Sequence, residues 1–295
     1  MDETLDIPEP CGTGMDMILW EFFILSDTDF AVHEDIALQA VRQAGQLLLG
    51  RAGQFATREK APRDLVTDVD LAAQELIARV IKSAFPDHAF LGEEDAGTAG
   101  GPSTTESWIA AQENCWIVDP IDGTTNYVHQ LPFYSISIAF WQQGIPRLGV
   151  ILDPVRDELF SATAGKGALL NGEPVTASTT EKMSEALVAV SFAANIDDES
   201  WEVRRFARAL HHCRAVRRIG SAALNLCYLA SGRLDAYWAS SVQPWDVAAG
   251  ILFVREAGGL VTSLDGGEFQ IDRPDMLAGA TSPLHESLLE LFAGV

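Results

Sequence analysis

The sequence predicts a mixed α/β protein whose two halves form one compact unit, and three observations carry that expectation. Its 295 residues are 47% hydrophobic, enough for one large core or two modest ones. Apolar residues recur at helical steps between Ala31 and Pro86, whereas residues 134–140 alternate with a period of two. Beyond about residue 183 the pattern becomes strand, helix, strand, helix, with no linker composition at the junction.

The elements follow in order. Residues 1–29 read as an acidic extension, with Asp2, Glu3, Asp6 and Glu9 among Pro8, Pro10, Gly12 and Gly14. From Ala31, the positions Ile36, Val41, Ala44, Leu47 and Leu48 mark a helix that ends near Gly50 or Gly53. A second helix starts after Thr67, carries Leu71, Leu76, Ile77, Val80 and Ile81, and is stopped by Pro86. Strands are expected over 89–92, 116–119, 134–140, 148–152 and 158–162, with a turn-rich hairpin over 165–172. In the second half, strands at 187–191, 215–217, 234–238 and 260–263 alternate with helices. Those helices cover 199–211, the run from Ser221 to Gly232, 246–257 and 283–292.

Composition excludes several function classes. There are 20 Lys and Arg against 42 Asp and Glu, a formal net charge of -22. Such a surface repels nucleic acid and anionic membranes, so neither is expected as a direct partner. It also repels a phosphate-bearing metabolite unless cations intervene. The apolar run at 17–25 is broken by Glu21 and is too short to span a bilayer, and its acidic flank is the reverse of a signal peptide's. Cys11, Cys115, Cys213 and Cys227 form no CxxC pair and read as free thiols of a reducing cytoplasm.

The segment 116–126, Trp-Ile-Val-Asp-Pro-Ile-Asp-Gly-Thr-Thr-Asn, is the most informative. A buried strand delivers Asp119, Pro120 forces a turn, and Asp122 opens a short helix whose first amides belong to Gly123, Thr124 and Thr125. Two carboxylates across such a turn suit a shared hard cation, and free amides beside them suit a phosphate. A plain Asp-Gly turn with Asp122 as N-cap explains the segment equally well. Glu93, in Gly92-Glu93-Glu94-Asp95, is either a cation ligand at a strand end or part of a solvated acidic loop. Asp246 stands at a helix start, where N-capping is the simpler role. Thr67 and Asp70 have the spacing of a capping box.

Taken together and in this order, these stretches resemble the inositol monophosphatase family over roughly residues 31–293. The matching strings are 64–70 (Asp-Leu-Val-Thr-Asp-Val-Asp), Gly92-Glu93-Glu94, 119–126, Gly220-Ser-Ala-Ala223, and Trp245-Asp246 with the Gly250 and Gly258-Gly259 stretches that follow. The resemblance implies stacked α-β-α-β-α layers, a phosphatase domain over 30–295 with halves 30–183 and 184–295, and Mg²⁺-dependent hydrolysis of a phosphomonoester. It implies that Glu93, Asp119 and the Ile121 carbonyl ligate a first Mg²⁺, that Asp119, Asp122 and Asp246 ligate a second, and that Asp70 with Glu93 reaches a third. Mn²⁺ is the expected substitute, since oxygen-only ligands favour hard cations. Thr124 resembles the hydroxyl that orients the attacking water and relays its proton toward Asp70. Asp122, Gly123, Thr124, Ser221 and Asp246 are the implied substrate-binding set.

Inositol monophosphate is the first expected substrate, with fructose-1,6-bisphosphate, histidinol phosphate and adenosine bisphosphates as alternatives. A homodimer and inhibition by lithium are implied by the family. A non-catalytic role with the transcription machinery is the alternative from another class. One position departs from the inositol-specific pattern: many members carry a Glu seven residues before the Asp of Trp-Asp, and here that residue is Ala239. No histidine or nucleophilic Ser or Cys arrangement competes; His129 reads as a surface residue, and His211 and His212 as the end of a helix.

Overall fold

The computed structural model describes residues 30–61, 64–95, 106–193 and 196–295. The extension expected over 1–29, with Cys11, lies outside them. Helix α1 (Ala31–Arg51) buries Ala37, Ala40, Val41, Ala44 and Leu48 along one face. The antiparallel hairpin β1 (Thr57–Ala61) and β2 (Asp64–Thr67) leads into α2 (Asp68–Ala84), which buries Val69, Ala73, Ile77 and Ile81. These small and branched residues at three- and four-residue steps let α1 and α2 lie together on a sheet.

That sheet has seven strands in sequential order: β3 (Ala89–Gly92), β4 (Asn114–Asp122), β5 (Ser135–Gln142), β6 (Ile145–Asp153), β7 (Glu158–Thr163), β8 (Ala168–Leu170) and β9 (Glu173–Val175). Only β3 and β4 run parallel. The alternation at 134–140 separates two buried faces rather than core from solvent. Ile136, Ile138 and Phe140 pack with α1 and α2, while Ala139 and Trp141 join the core on the other side. Each fully buried side chain of this kind contributes on the order of 1.5–3 kcal/mol.

A second sheet of five strands is ordered β11-β10-β12-β14-β13: β10 (Leu187–Ser191), β11 (Ala215–Arg217), β12 (Ala236–Ala239), β13 (Leu260–Ser263) and β14 (Met276–Gly279). Between the sheets lie the helices α6 (Ala222–Ala230) and α8 (Gly250–Glu256), in a core shared with Ile117, Phe160, Tyr237 and Ala278. On the outer face, α5 (Trp201–His212) and α9 (Ser282–Phe292) pack over Val188, Val190, Trp238 and Leu277. The order of layers is α-β-α-β-α, as the resemblance implies. The remaining helices are short: α3 (Glu106–Ala111), α4 (Thr124–Val128) and α7 (Pro244–Val247).

Two expectations change. The helix expected over 246–257 is interrupted between α7 and α8. Ala248 and Ala249 keep helical angles there, but the Ala248 carbonyl accepts the Trp141 indole N–H at 3.4 Å. Asp122 does not cap the helix that follows it; Gly123, with φ of 98°, occupies that position. No helix among the described residues is long and apolar enough to cross a membrane.

Candidate active site

The site forms where β4 ends. Asp119 pairs with Ser137 and Asp122 with Ser135, so three steps on β4 match two on β5. Residues three apart on a regular strand point to opposite faces; the bulge at Pro120-Ile121 adds the extra step that brings both carboxylates to one side. Gly123 then turns the chain into α4. A Cβ there would stand 3.0 Å from the Phe133 carbonyl and 3.1 Å from the Gly220 carbonyl, and the positive φ is itself costly for other residues.

An open cavity of about 230 Å³ lies at this point. Glu93, Asp119, Asp122 and Asp246 line it together with Ile121, Gly123 and Thr124. The opposite wall comes from the second half of the chain: Ser191, Phe192, Arg218, Gly220, Ala222 and Val242. Asp246 is the third residue of α7, and its Oδ2 accepts the Gln243 amide at 2.8 Å, so it serves the helix start without being its cap.

Asp122 is held by a helix one hundred residues away. Its Oδ1 accepts the Ala222 amide at 3.1 Å and its Oδ2 the Ala223 amide at 2.7 Å, at the start of α6, with the Ser221 hydroxyl as a further donor. Ser221 also caps α6 by accepting the Leu224 amide at 3.1 Å. It is buried behind the cavity wall and is not among the lining residues.

Asp70 is fully buried and combines two roles. Its Oδ2 accepts the Thr67 amide at 2.7 Å, completing the capping box, and its Oδ1 accepts the Thr124 hydroxyl at 3.1 Å. The same hydroxyl lies 3.0 Å from the Ile121 carbonyl, a second acceptor. Asp70 therefore reaches the cavity through Thr124.

Burial and like charge dominate the electrostatics. Asp119 is 1% exposed, and burial followed by the charges of Glu93, Asp122 and Asp246 holds its pKa well above the carboxylate range. Burial and then Asp122 do the same to Asp246. Burial lifts Asp122 to about 6 against the donors from Ser221, Ala223 and Ala222. It also raises Asp70, which the Thr67 and Thr124 donors oppose, and Glu93, which Lys60 opposes. Lys60 donates to Glu93 at 2.9 Å and to Glu94 at 2.5 Å. Burial works against its charge, yet the two glutamates hold its pKa above the ordinary lysine value.

Among the described residues, no three Asp, Glu, His or Cys side chains are already drawn into an ion cage. The donor set nevertheless fits hard cations. It is all oxygen, it surrounds one cavity, and burial followed by mutual repulsion raises the pKa values of Asp119 and Asp246. His129 is exposed at the end of α4, and His211 and His212 are exposed at the end of α5, all outside the cavity lining. Lys60 and Arg218 carry no sequence signal beyond being cations next to the acidic and glycine motifs of an acidic chain.

A five-layer α-β-α-β-α body with a carboxylate-lined cleft at a bulged strand end defines a class of layered α/β proteins. This chain belongs to the inositol monophosphatase family, whose model matches residues 31–295. It is 41% identical over 243 residues to inositol monophosphatase 2 of Solanum lycopersicum, covering 80% of this chain and 89% of that one. It is 37% identical over 253 residues to Nus factor SuhB of Pseudomonas aeruginosa, covering 84% and 91%. Among solved structures, the inositol monophosphatase of Anabaena sp. PCC 7120 matches with a TM-score of 0.78 and 36% identity over 91% of this chain and 98% of that one. The extragenic suppressor protein suhB of Bartonella henselae matches at 0.81 and 32%, over 90% and 100%.

Proposed function

We propose that this chain is a Mg²⁺-dependent phosphomonoesterase acting on a small polyol or sugar phosphate, with inositol monophosphate as first substrate. One observation carries the reading: four carboxylates line one cavity beside Thr124, whose hydroxyl is tied to Asp70. Glu93, Asp119 and the Ile121 carbonyl would hold one ion, Asp119, Asp122 and Asp246 a second, and Asp70 with Glu93 a third; Mn²⁺ suits the same donors. Bound there, Mg²⁺ supplies neutralisation of phosphate charge and a water of lowered pKa.

The chain's own residues do the rest. Thr124 orients the attacking water through its hydroxyl and passes a proton toward Asp70 Oδ1, which accepts that hydroxyl's hydrogen bond. The Gly123 and Thr124 amides, at a helix start without intrahelical acceptors, hold phosphate oxygens. Ser221 and the start of α6 fix Asp122, and the Gln243 amide fixes Asp246. A cytoplasmic location and a homodimer belong to the same reading. The buried free thiols Cys115, Cys213 and Cys227 support a reducing compartment, and the family resemblance supports the dimer.

The test is hydrolysis of a panel of phosphomonoesters by the purified protein, with Mg²⁺ and with EDTA. Release of phosphate only with metal is the expected result, and equal rates under both conditions would refute the metal requirement. The similarity to Nus factor SuhB supports a second reading, a scaffold that binds a component of the transcription machinery. A partner still captured by an inactive Asp119→Asn variant would favour it.

A further inference from the structure

We propose that an arginine-rich strip on the outer layer of the second half binds the chain's own acidic residues 1–29. The proposal stands apart from the phosphatase reading, whose failure would leave it intact. Between Val203 and Gly220 the sequence holds six arginines, out of 20 Lys and Arg in the whole chain, and no Asp or Glu. Five of the six, Arg204, Arg208, Arg214, Arg217 and Arg218, are exposed. Arg204 and Arg208 are four residues apart and share one face of α5. Past Cys213 the chain enters β11, the edge strand of the five-stranded sheet, which carries the other three at its ends. Leu210, 53% exposed, adds an apolar contact on the same helix.

These cations lack counter-charges in a chain of net charge -22. Arg51, Lys60, Arg156 and Arg233 each pair with a carboxylate. Among the described residues, none of the five exposed arginines does so. Arg208 donates to the Leu291 carbonyl at 2.8 Å, Arg217 to the Val216 carbonyl at 3.0 Å and Arg218 to the Phe192 carbonyl at 2.9 Å. Arg204 donates to the carbonyl of Glu199 and not to its carboxylate. Carbonyls hold a guanidinium in place without neutralising it, and each leaves further N–H donors of the five-donor fork for a ligand.

One segment of the chain complements this strip. Residues 1–29 hold eight Asp and Glu and no Lys, Arg or His, and their apolar run at 17–25 suits Leu210. The tether is long enough. Four layer spacings of about 10 Å separate α1 from α5, roughly 40 Å in all. The 21 residues from Glu9 to Asp29 span about 70 Å when extended, enough to round the body. A tethered segment meets the strip at an effective concentration on the order of millimolar, so that charge pairs worth little singly act together. A separate nucleic acid has no such tether and also meets the repulsion of the remaining acidic surface.

The experiment attaches benzophenone maleimide to Cys11 of the full chain, since Cys115, Cys213 and Cys227 are buried. After irradiation of dilute protein, mass spectrometry maps the crosslinks. They are expected within 201–218 in about 0.1 M NaCl, and about fivefold fewer in about 1 M, where the screening length shrinks from about 10 Å to about 3 Å. The triple variant Arg204→Glu, Arg208→Glu, Arg217→Glu should lose them to the same extent. Adding Asp2→Lys, Glu3→Lys, Asp6→Lys and Glu9→Lys should restore them. Crosslinks scattered over the body, indifferent to salt, or unrestored by the charge exchange overturn the proposal. So does a product that is only a covalent dimer, which would place one copy's segment on another. A short RNA that binds the wild type but not the triple variant, while the Cys11 crosslinks persist in that variant, would overturn it in favour of nucleic acid.

Discussion

Thr124 and Asp70 are joined through one carboxylate oxygen: the threonine hydroxyl donates to Asp70 Oδ1 across 3.1 Å, while Asp70 Oδ2 accepts the Thr67 amide at 2.7 Å. One side chain thereby closes the first turn of α2 and faces the candidate catalytic hydroxyl. The two functions separate by mutation. Thr124→Val removes the hydroxyl and leaves the capping box whole, so turnover should fall by about 10²-fold or more with the melting temperature nearly unchanged. Asp70→Asn keeps a carbonyl acceptor for the Thr67 amide but cannot accept a proton in the same way, so it should also lose activity with a stability loss below about 1 kcal/mol. Steady-state kinetics beside thermal melts read both. Full activity in Thr124→Val would confine Asp70 to its helix.

Asp119 carries the strongest conflict between stability and use. It is buried, and three other carboxylates repel its charge. Asp119→Asn should abolish metal-dependent hydrolysis and, without metal, melt at a higher temperature than the wild type, since one member of a repelling set has been neutralised. A metal-free melting temperature lower than wild type would show that Asp119 holds the fold rather than straining it.

Much of this was legible before any coordinates. The period of 3.6 marks α1 and α2, and the period of two marks β5, because side-chain direction follows backbone geometry. The Thr67–Asp70 box, the 116–126 segment and Trp245-Asp246 placed the acidic residues near one another through the family resemblance. Other features depend on the folded chain alone. The bulge at Pro120-Ile121 exists only relative to β5, and nothing local to Asp122 announces that its acceptors serve the amides of Ala222 and Ala223. Lys60 and Arg218 are ordinary cations until the hairpin carries one to Glu93 and the second sheet carries the other to the cavity. The β5 alternation predicted a strand correctly but not that both its faces are covered, since Ser135, Ser137 and Ala139 face helices instead of water.

The raised carboxylates give the metal-free protein a defined pH dependence. Unfolded Asp titrates near about 3.9, whereas in the folded chain burial lifts Asp122 to about 6 and holds Asp119 and Asp246 well above the ordinary carboxylate range. Between those values the unfolded state has lost protons that the folded state retains, so this set makes stability fall as pH rises from about 4 through and beyond 6. Metal binding to the ionised carboxylates opposes the fall and adds about 2.7 kcal/mol at a hundred times Kd. Melting temperatures in Mg²⁺ and in EDTA at pH 5, 6, 7 and 8 should therefore diverge as pH increases. A gap that stays constant across the series would remove the carboxylates as its cause.

Gly149 controls how closely the large sheet approaches the helices that carry Asp246. A Cβ at this position would lie 2.8 Å from the Ala249 carbonyl oxygen and 3.1 Å from its Cα, both backbone atoms that cannot rotate away. Gly149 sits in β6 between Ala139 and Ala162, so the strand is hemmed in by its own neighbours and the strain must move the chain at Ala249. That chain lies three residues beyond Asp246, so the displacement reaches the cavity as well as the core. Gly149→Ala should destabilise the protein by about 1–3 kcal/mol, the range of overpacked cores, and reduce turnover. Gly50→Ala supplies the contrast: the glycine is in the last turn of α1 with open space where the Cβ would go, so the change should stabilise by up to about 1 kcal/mol with kinetics unaltered. Chemical denaturation of the two variants beside wild type measures both effects. An unchanged midpoint for Gly149→Ala would show that the contact between β6 and Ala249 has slack, and that Asp246 is positioned by α7 and the Gln243 amide alone.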